Sequence, residues 1–191
     1  MSLIREAIVS TPAPDGGVHF APLGFRREGP YVVLAPYAPS RTLDNLRTAS
    51  VAAISHTDDV RVFAGCLTGR RDWPSAPCAH IPCGRLAEAL AHHELAVVRV
   101  DTTQAERPRF FCRELAVQMH RPCPGFNRAQ AAVLEACILV SRLDRLPLSD
   151  IERAIQFLQP LVDKTAGSRE REAWNWLLER IAAHRAAARA S

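Results

Sequence analysis

Lysine is almost missing from this sequence, since Lys164 is the single lysine among 24 basic residues and the other 23 are arginine. Together with the many alanines, this bias is typical of a codon preference. Aromatic residues are also scarce, with seven Phe, three Trp and two Tyr. The net charge is only +4 and no dense basic block is present. This composition argues against a dedicated nucleic-acid-binding protein, although it leaves room for a local anion site.

Long hydrophobic runs are missing as well. The longest apolar stretch, residues 131–140, contains Glu135 and is too short to cross a bilayer. Residues 1–6 lack the charged and then apolar arrangement of a signal peptide. We therefore expect a cytoplasmic protein that has no membrane partner.

The sequence also lacks the usual nucleotide-binding, hydrolase and metalloprotease signatures. Its six cysteines are expected to be reduced thiols, and none has an evident local base. Cys78, His80 and Cys83 are close enough in sequence for a zinc site, but no second ligand pair of suitable spacing follows. His92 and His93 are adjacent and are expected to point to different faces. We therefore predict no metal site.

Residues 1–125 are typical of a β-domain, because they contain 12 of the 14 prolines, many turn signals and short apolar runs. An Asp-Gly turn at residues 15–16 predicts a hairpin. Residues 86–99 are ambiguous, since their Ala, Leu and Glu content favours a helix. The predicted strands are residues 4–11, 18–25, 31–35, 51–55, 96–100 and 109–119.

Residues 126–191 have the pattern of a three-helix extension. Asn127 with Gln130 and Ser149 with Glu152 are typical capping boxes for the first two helices, and Ser168 lies at the start of the third. The third helix has an apolar stripe that includes Trp174. We therefore predict two domains, a β-domain at 1–125 and a helical extension at 126–191.

Two segments of the β-domain are candidate ligand sites. Ser40 or Thr42 can cap a helix whose first N–H groups suit a phosphate, and Arg41 can bind the same phosphate. Small residues around Gly24 let a flat ligand approach a strand. Taken alone, each segment is better explained by an ordinary structure, namely a capped surface helix with a solvated arginine and a core strand with a bulge.

Five segments, taken in order and with their spacing, resemble a family of uncharacterised proteins called DUF447. The resemblance covers nearly the whole chain. These segments are residues 6–11, 21–24, 36–46, 125–129 with Glu135 and Ala136, and 164–167 with Glu170.

That family resembles the FMN-binding split-barrel superfamily, which includes pyridoxamine-phosphate oxidase-like and flavin-reductase-like proteins. The resemblance implies a mainly β fold with α, in which an antiparallel split β-barrel of six strands is followed by a helical extension. It implies a homodimer with FMN at the interface. It also implies that residues 86–99 form two strands against their propensity, which we adopt because tertiary context commonly overrides propensity.

Carried over to this sequence, the flavin-reductase-like pattern implies three groups of cofactor-binding residues. One group lies near the isoalloxazine, a second near the ribityl phosphate, and the third at the end of a strand where His56 replaces an Asn-like residue. In order, these groups are Pro22, Leu23 and Gly24; Ser40, Arg41, Thr42 and Asn45; and Ser55, His56 and Thr57.

The implied function is that of an FMN-dependent oxidoreductase acting on a small aromatic or pterin-like substrate. The resemblance also implies a link to tetrahydromethanopterin-dependent one-carbon metabolism. No catalytic side chain is identified, because the flavin itself carries the redox chemistry. The alternatives are a non-catalytic flavin carrier and a scaffold whose helical tail binds a partner. Helix capping for Asn127, an ion pair for Glu135, a satisfied His120 and a helix-dipole role for Lys164 are the favoured interpretations of those residues.

Overall fold

The computed structural model describes residues 3–190, and of residue 190 only the backbone. The chain forms two compact units. The first contains the residues up to Thr57 and residues 72–123, and the second contains residues 58–71 and the chain from Pro124 onward. The helical unit thus includes residues 58–71, which lie inside the β-domain predicted at 1–125. None of the helices in the described residues is long and apolar enough to span a bilayer.

The first unit is a closed antiparallel β-barrel with the strand order β1-β2-β3-β8-β7-β4, which confirms the predicted six-stranded split barrel. A two-stranded sheet, β5-β6, lies in the connection between β4 and β7. The unit also contains one helix, α1. The elements are β1 (Arg5–Pro12), β2 (Val18–Glu28), β3 (Tyr31–Leu34), α1 (Arg41–Ala49), β4 (Val51–His56), β5 (Ser75–Pro77), β6 (Gly84–Leu86), β7 (Ala91–Asp101) and β8 (Arg109–Met119).

Alternate residues of the strands face the barrel interior, because successive side chains of a strand point to opposite faces. Ala7 and Val9 of β1 belong to the buried core in this way, and Leu43 and Leu46 of α1 complete it. Helix α1 therefore packs into the barrel core through the face opposite its exposed arginines. The remaining core residues are Phe25, Val32, Leu34, Ala52, Ile54, Leu95, Phe110 and Cys112.

Residues 86–99 contain strand structure and not the helix that their propensity favours. Within this range lie the end of β6 and most of β7, and β7 pairs with β4 on one side and β8 on the other. The ladder hydrogen bonds and the burial of Leu95 outweigh a propensity difference of a few tenths of a kcal/mol per residue. The strand interpretation adopted from the resemblance is thus confirmed.

The segment that carries β5 and β6 covers the outer face of the barrel. The Leu86 N–H donates to Ser55 Oγ at 3.1 Å, which ties β6 to β4. A Cβ added at Gly84 would lie 2.6 Å from Val18 Cγ2, so only glycine allows this close approach. Ile8 and Ser10, on the outer face of β1, are consequently fully buried.

The second unit consists of four helices. They are α2 (Val60–Leu67), α3 (Arg128–Val140), α4 (Leu148–Thr165) and α5 (Ser168–Ala190). Asn127 caps α3 as predicted, because its Oδ1 accepts hydrogen bonds from the N–H groups of Ala129 and Gln130. The capping box predicted from Ser149 is wrong. Helix α4 begins one residue earlier, after Pro147, and has no side-chain cap.

Candidate functional site

Strand β1 brings the two predicted strand segments of the site together. Ile8 pairs with Pro22 of β2 on one side and with Ser55 of β4 on the other. Leu23 and Gly24 follow Pro22 along β2, opposite Ala7 and Glu6. Segments that are far apart in sequence therefore flank the same few residues of β1.

Helix α1 provides the third part of the site and is fixed to β1 at its buried face. Ser40 has extended dihedral angles and is the N-cap, with its Oγ accepting a hydrogen bond from the Leu43 N–H at 3.3 Å. Asn45 Nδ2 donates to Thr11 Oγ1 at 2.9 Å, and both side chains are buried. Of the two caps that the sequence allows, the structure selects Ser40.

The start of α1 is open to an anion. Ser40 accepts hydrogen bonds from the N–H groups of Leu43 and Asp44, which leaves those of Arg41 and Thr42 without a partner among the described residues. The Arg41 guanidinium is 54% exposed and lies 3.9 Å from Asp15. Such an exposed ion pair is weak, so the guanidinium is available to a ligand.

The separation between the two ends of the candidate site follows from β1. Asn45 binds Thr11, whereas Pro22 and Ser55 both pair with Ile8. Three residues of extended strand separate Thr11 from Ile8, which corresponds to about 10 Å. A ligand that binds at both ends therefore needs an elongated shape with an anionic terminus.

The predicted site residues differ in how much of their side chains a ligand can reach. Thr42, Asn45 and Ser55 are buried, and Asn45 and Ser55 already hydrogen-bond to Thr11 and Leu86, respectively. Asn45 thus fixes α1 to β1, and Ser55 fixes β4 to β6. The residues that remain at least partly exposed are Pro22, Leu23, Gly24, Ser40, Arg41, His56 and Thr57.

His56 belongs to a polar cluster, which we call the histidine cluster, consisting of His56, His93, Glu114 and Arg27. His56 Nε2 lies 3.0 Å from His93 Nε2, and His93 Nδ1 lies 2.6 Å from Glu114 Oε2. Arg27 donates to the same carboxylate oxygen at 2.6 Å. Phe25 packs beside both histidine rings, with centroid distances of 5.7 and 6.4 Å.

The cluster fixes the charge of its members. Burial lowers the pKa of His56, and the neighbouring His93 and Arg5 lower it further, so that His56 is neutral at pH 7. Burial by itself would raise the pKa of Glu114, but hydrogen bonds from His93 and Arg27 hold that pKa below its ordinary value. The cluster thus combines a neutral imidazole with a carboxylate anion.

Sequence analysis missed His93, Glu114 and Arg27 as members of this cluster. No local motif marks them, because they lie on three different strands. The spacing of two of them from core residues of the same strand is the sequence signal that could have indicated the cluster. His93 lies two residues before Leu95 and Glu114 two residues after Cys112, so each shares the strand face of a core residue.

A surface pocket lies on the connection that leads into α1. It has a volume of about 430 Å³ and is lined by Tyr37 and residues 104–107. The Arg107 guanidinium stacks on the Tyr37 ring at 4.6 Å, and the Ala38 N–H donates to the Glu106 carbonyl at 2.8 Å. Arg107 is thus held against Tyr37, which lies shortly before Ser40 in the chain.

In the helical unit, the residues that carry the family resemblance form a structural cluster. Asn127 Nδ2 donates to the Thr165 carbonyl, and Thr165 Oγ1 accepts from the Ala129 N–H. Glu170 accepts from Gln130 Nε2 and from the Gly167 N–H. This network joins the start of α3 to the α4–α5 junction, which confirms the capping role of Asn127.

The other residues weighed in the sequence have local roles. Glu135 is exposed, and Lys164 is exposed in the last turn of α4, where a cation complements the helix dipole. Trp174 is buried and donates from Nε1 to Gln159 Oε1 at 2.9 Å. His120 stacks on His92, with Nε2 lying 2.9 Å from His92 Nδ1.

Comparison with solved structures shows the same fold in flavin proteins. A crystal structure of an FMN-bound protein from Methanosarcina mazei matches with a TM-score of 0.81 and 20% identity, covering 94% of this chain and 96% of that one. The flavin reductase of styrene monooxygenase from Pseudomonas putida matches with a TM-score of 0.51 and 17% identity, over 60% of this chain and 77% of that one. The 2-nitrobenzoate 2-nitroreductase of Pseudomonas fluorescens matches with a TM-score of 0.52 and 17% identity, over 60% and 64%.

Curated proteins provide no match to the sequence. The family profiles do, and they cover both parts of the chain. The N-terminal domain of DUF447, described as a protein of unknown function, matches residues 5–121, and the second DUF447 profile matches residues 127–179. The chain is therefore a member of the DUF447 family, with a split β-barrel fold.

Proposed function

We propose that this protein binds FMN between two copies of its barrel and acts as an oxidoreductase on a small aromatic or pterin-like substrate. The fold is shared with an FMN-bound protein and with a flavin reductase. The family resemblance supports the same cofactor and a link to tetrahydromethanopterin-dependent one-carbon metabolism. The nitroreductase among the structural neighbours supports a small aromatic substrate.

The observation that carries the proposal is the start of α1. Two N–H groups that have no partner among the described residues, the positive end of the helix dipole and the exposed Arg41 all lie at this helix start. A phosphate monoester satisfies all three at once. Asp15 is the competing anion, but its 3.9 Å separation from Arg41 makes it easy to displace.

The other end of the site suits the flavin ring. The Ile4 and Glu6 side chains fill the space beside Gly24 that a Cβ would take, at 2.9 and 3.1 Å, so glycine is needed there for packing within the chain. Pro22, Leu23 and Gly24 remain partly exposed, and we propose that their backbone lies beside the flat ring. When bound, the flavin supplies hydride and electron transfer, and the protein supplies position and electrostatics. His56, neutral at pH 7, offers an uncharged hydrogen-bonding ring at this end.

A second subunit accounts for the apolar surface next to this end of the site. Val117 pairs with His93 and Met119 pairs with Ala91, yet Val117 is 52% and Met119 70% exposed. Apolar side chains clustered on one strand are typical of an association surface. A partner barrel that covers them also closes the flavin site.

Fluorescence titration with FMN tests the phosphate site directly. The Arg41→Ala variant should bind FMN more weakly by about 1.5–3 kcal/mol, or about 10- to 150-fold in Kd, since it loses a charge-assisted contact. Arg47→Ala is the matched control, because Arg47 is exposed in the last turn of the same helix. Equal affinities of the two variants would remove Arg41 from the site.

Anaerobic addition of NADH or NADPH to the FMN-loaded protein separates enzyme from carrier. Bleaching of the visible flavin band supports a reductase that takes electrons from a nicotinamide. A flavin that stays oxidised supports the carrier alternative or another electron donor. A protein that takes up no FMN at all contradicts both and leaves the interaction scaffold.

A further inference from the structure

Cys78, His92 and Glu94 meet on the outer face of the barrel, beneath the segment that carries β5 and β6. One ligand-type atom from each residue lies within 4.8 Å of the others. His92 and Glu94 are 2% and 1% exposed, and Cys78 is half-buried. We propose that these three residues form a binding site for Zn²⁺ or a similar divalent transition metal. This inference is independent of the proposed flavin site.

The three donors have the chemistry of a zinc site. A thiolate, an imidazole and a carboxylate are the side chains that bind Zn²⁺ in proteins, and three protein ligands leave a fourth position for water. A sulfur and a nitrogen on one tetrahedral Zn²⁺ lie about 3.5 Å apart, given Zn–S of about 2.3 Å and Zn–N of about 2.0 Å. The three donor atoms lie within 4.8 Å of one another, so metal binding requires them to move closer together.

The strand provides two of these ligands in a fixed geometry. His92 and Glu94 are two residues apart on β7 and share its outer face. His92 Nε2 lies 3.2 Å from Glu94 Oε1, which places the two donors side by side. Cys78 comes from the covering segment, so a bound metal links that segment to the barrel.

The partners of His92 and Glu94 match those that support metal ligands. His92 Nδ1 lies 2.9 Å from His120 Nε2, so Nε2 is the ring nitrogen that faces Glu94 and would bind the metal in place of a hydrogen bond to that carboxylate. A hydrogen bond to the second ring nitrogen is what orients most metal-binding histidines. The N–H groups of Ala79 and His80 donate to the Glu94 carboxylate at 2.8 and 2.6 Å, which holds its oxygens in place.

The charge balance also favours a cation. Glu94 is buried, and within residues 3–190 its one ion-pair partner is His92, which carries charge only when protonated. The Ala79 and His80 N–H groups hold this buried group as a carboxylate, which is the form that binds a cation. A divalent metal would pair with the carboxylate and convert the Cys78 thiol into a thiolate by releasing its proton.

The sequence predicts no metal site, because a zinc motif is recognised there only when its ligands lie close together along the chain. The zinc pattern it considered joins Cys78 to His80 and Cys83. The fold instead joins Cys78 to His92 and Glu94, and it turns His93 toward the histidine cluster. The neighbouring histidines thus point to different faces, as the sequence indicates. His92 joins the proposed metal site, and His93 joins the histidine cluster.

Cobalt titration of the full-length, chelator-treated protein tests this site. We expect one Co²⁺ per chain, a thiolate-to-cobalt charge-transfer band in the near ultraviolet, and displacement of that band by Zn²⁺. Cys78→Ser should lose the band and weaken binding at least tenfold. Cys123→Ser, which alters an exposed cysteine elsewhere, should keep both.

Two further measurements guard against a folding defect. Zn²⁺ should raise the Tm of the wild type and of Cys123→Ser but not that of Cys78→Ser, because only a bound ligand stabilises the native state. Glu94→Gln keeps one of the two oxygens that accept from the loop N–H groups and should weaken Co²⁺ binding at least tenfold, with its metal-free Tm compared with that of the wild type. The proposal is overturned if the wild type takes up no Co²⁺, or if the band persists in Cys78→Ser.

Discussion

At the scale of the residue, the histidine cluster shows how burial sets protonation. Burial and the adjacent His93 lower the pKa of His56 from its ordinary value of 6.5. The same cause, burial, lowers the pKa values of His92 and His120. The folded state therefore binds protons at these rings more weakly than the unfolded chain does.

This difference predicts an acid-sensitive stability. As the pH falls below about 6.5, the histidines of the unfolded chain bind protons that the folded state does not bind. The free energy of unfolding therefore decreases until the pH passes the lowered pKa of the folded state. Each such histidine contributes a slope of at most about 1.4 kcal/mol per pH unit. Urea denaturation at pH 8, 7, 6 and 5 measures it. His56→Gln, which retains a hydrogen-bonding group, should show a smaller slope than the wild type, and an identical slope would contradict this account.

At lower pH the protonation of buried carboxylates determines how stability depends on pH. Glu94 and Glu114 have pKa values held below their ordinary 4.5, despite burial, by hydrogen bonds from the Ala79 and His80 N–H groups and from His93, respectively. Their contribution to stability is present above the unfolded pKa and is lost as the pH falls through the folded one. Acid unfolding is thus expected in two successive ranges.

At the scale of the element, the helical unit depends on the joined ends of its helices. Asn127 caps α3 with Oδ1 and reaches the end of α4 with Nδ2, so one side chain serves two helices. Glu170 has a similar double role at the start of α5. The family motifs of this unit therefore have a structural explanation.

Asn127→Ala should destabilise the protein by about 0.5–2 kcal/mol, the usual cost of a lost N-cap, because the Gln130 N–H loses its acceptor and the Ala129 N–H keeps only Thr165 Oγ1. Thermal or chemical denaturation measures the change. Asn127→Asp is the comparison, since it keeps the acceptor oxygen for α3 but loses the Nδ2 donor to Thr165. A loss as large in the Asp variant as in the Ala variant would show that the bond to α4, and not the cap, dominates.

At the scale of the whole molecule, we propose that a homodimer covers exposed apolar side chains and closes the proposed flavin site. Several large apolar side chains on the outer parts of β7 and β8 are exposed in the single chain. They are Val98, Val100, Leu115, Val117 and Met119.

A charge placed on this surface should therefore break the dimer. Val117→Asp is expected to shift the protein toward monomer in sedimentation velocity and to weaken FMN binding in parallel. Phe157→Asp is the matched control, because Phe157 is 80% exposed on α4 in the helical unit and should leave both properties unchanged. A Val117→Asp protein that remains dimeric and binds FMN normally would place the interface elsewhere.

Local sequence by itself determined the early strands, a cap at Ser40 or Thr42, the Asn127 cap and the apolar stripe of α5, because each depends on side chains a few residues apart. The resemblance added the split barrel and the strand structure within residues 86–99. Only the tertiary structure decided which distant residues meet. Strand register brings His56 to His93 and Glu114, and the covering segment brings Cys78 to His92 and Glu94. Cross-strand pairing sets those distances, and no pattern along the chain records them.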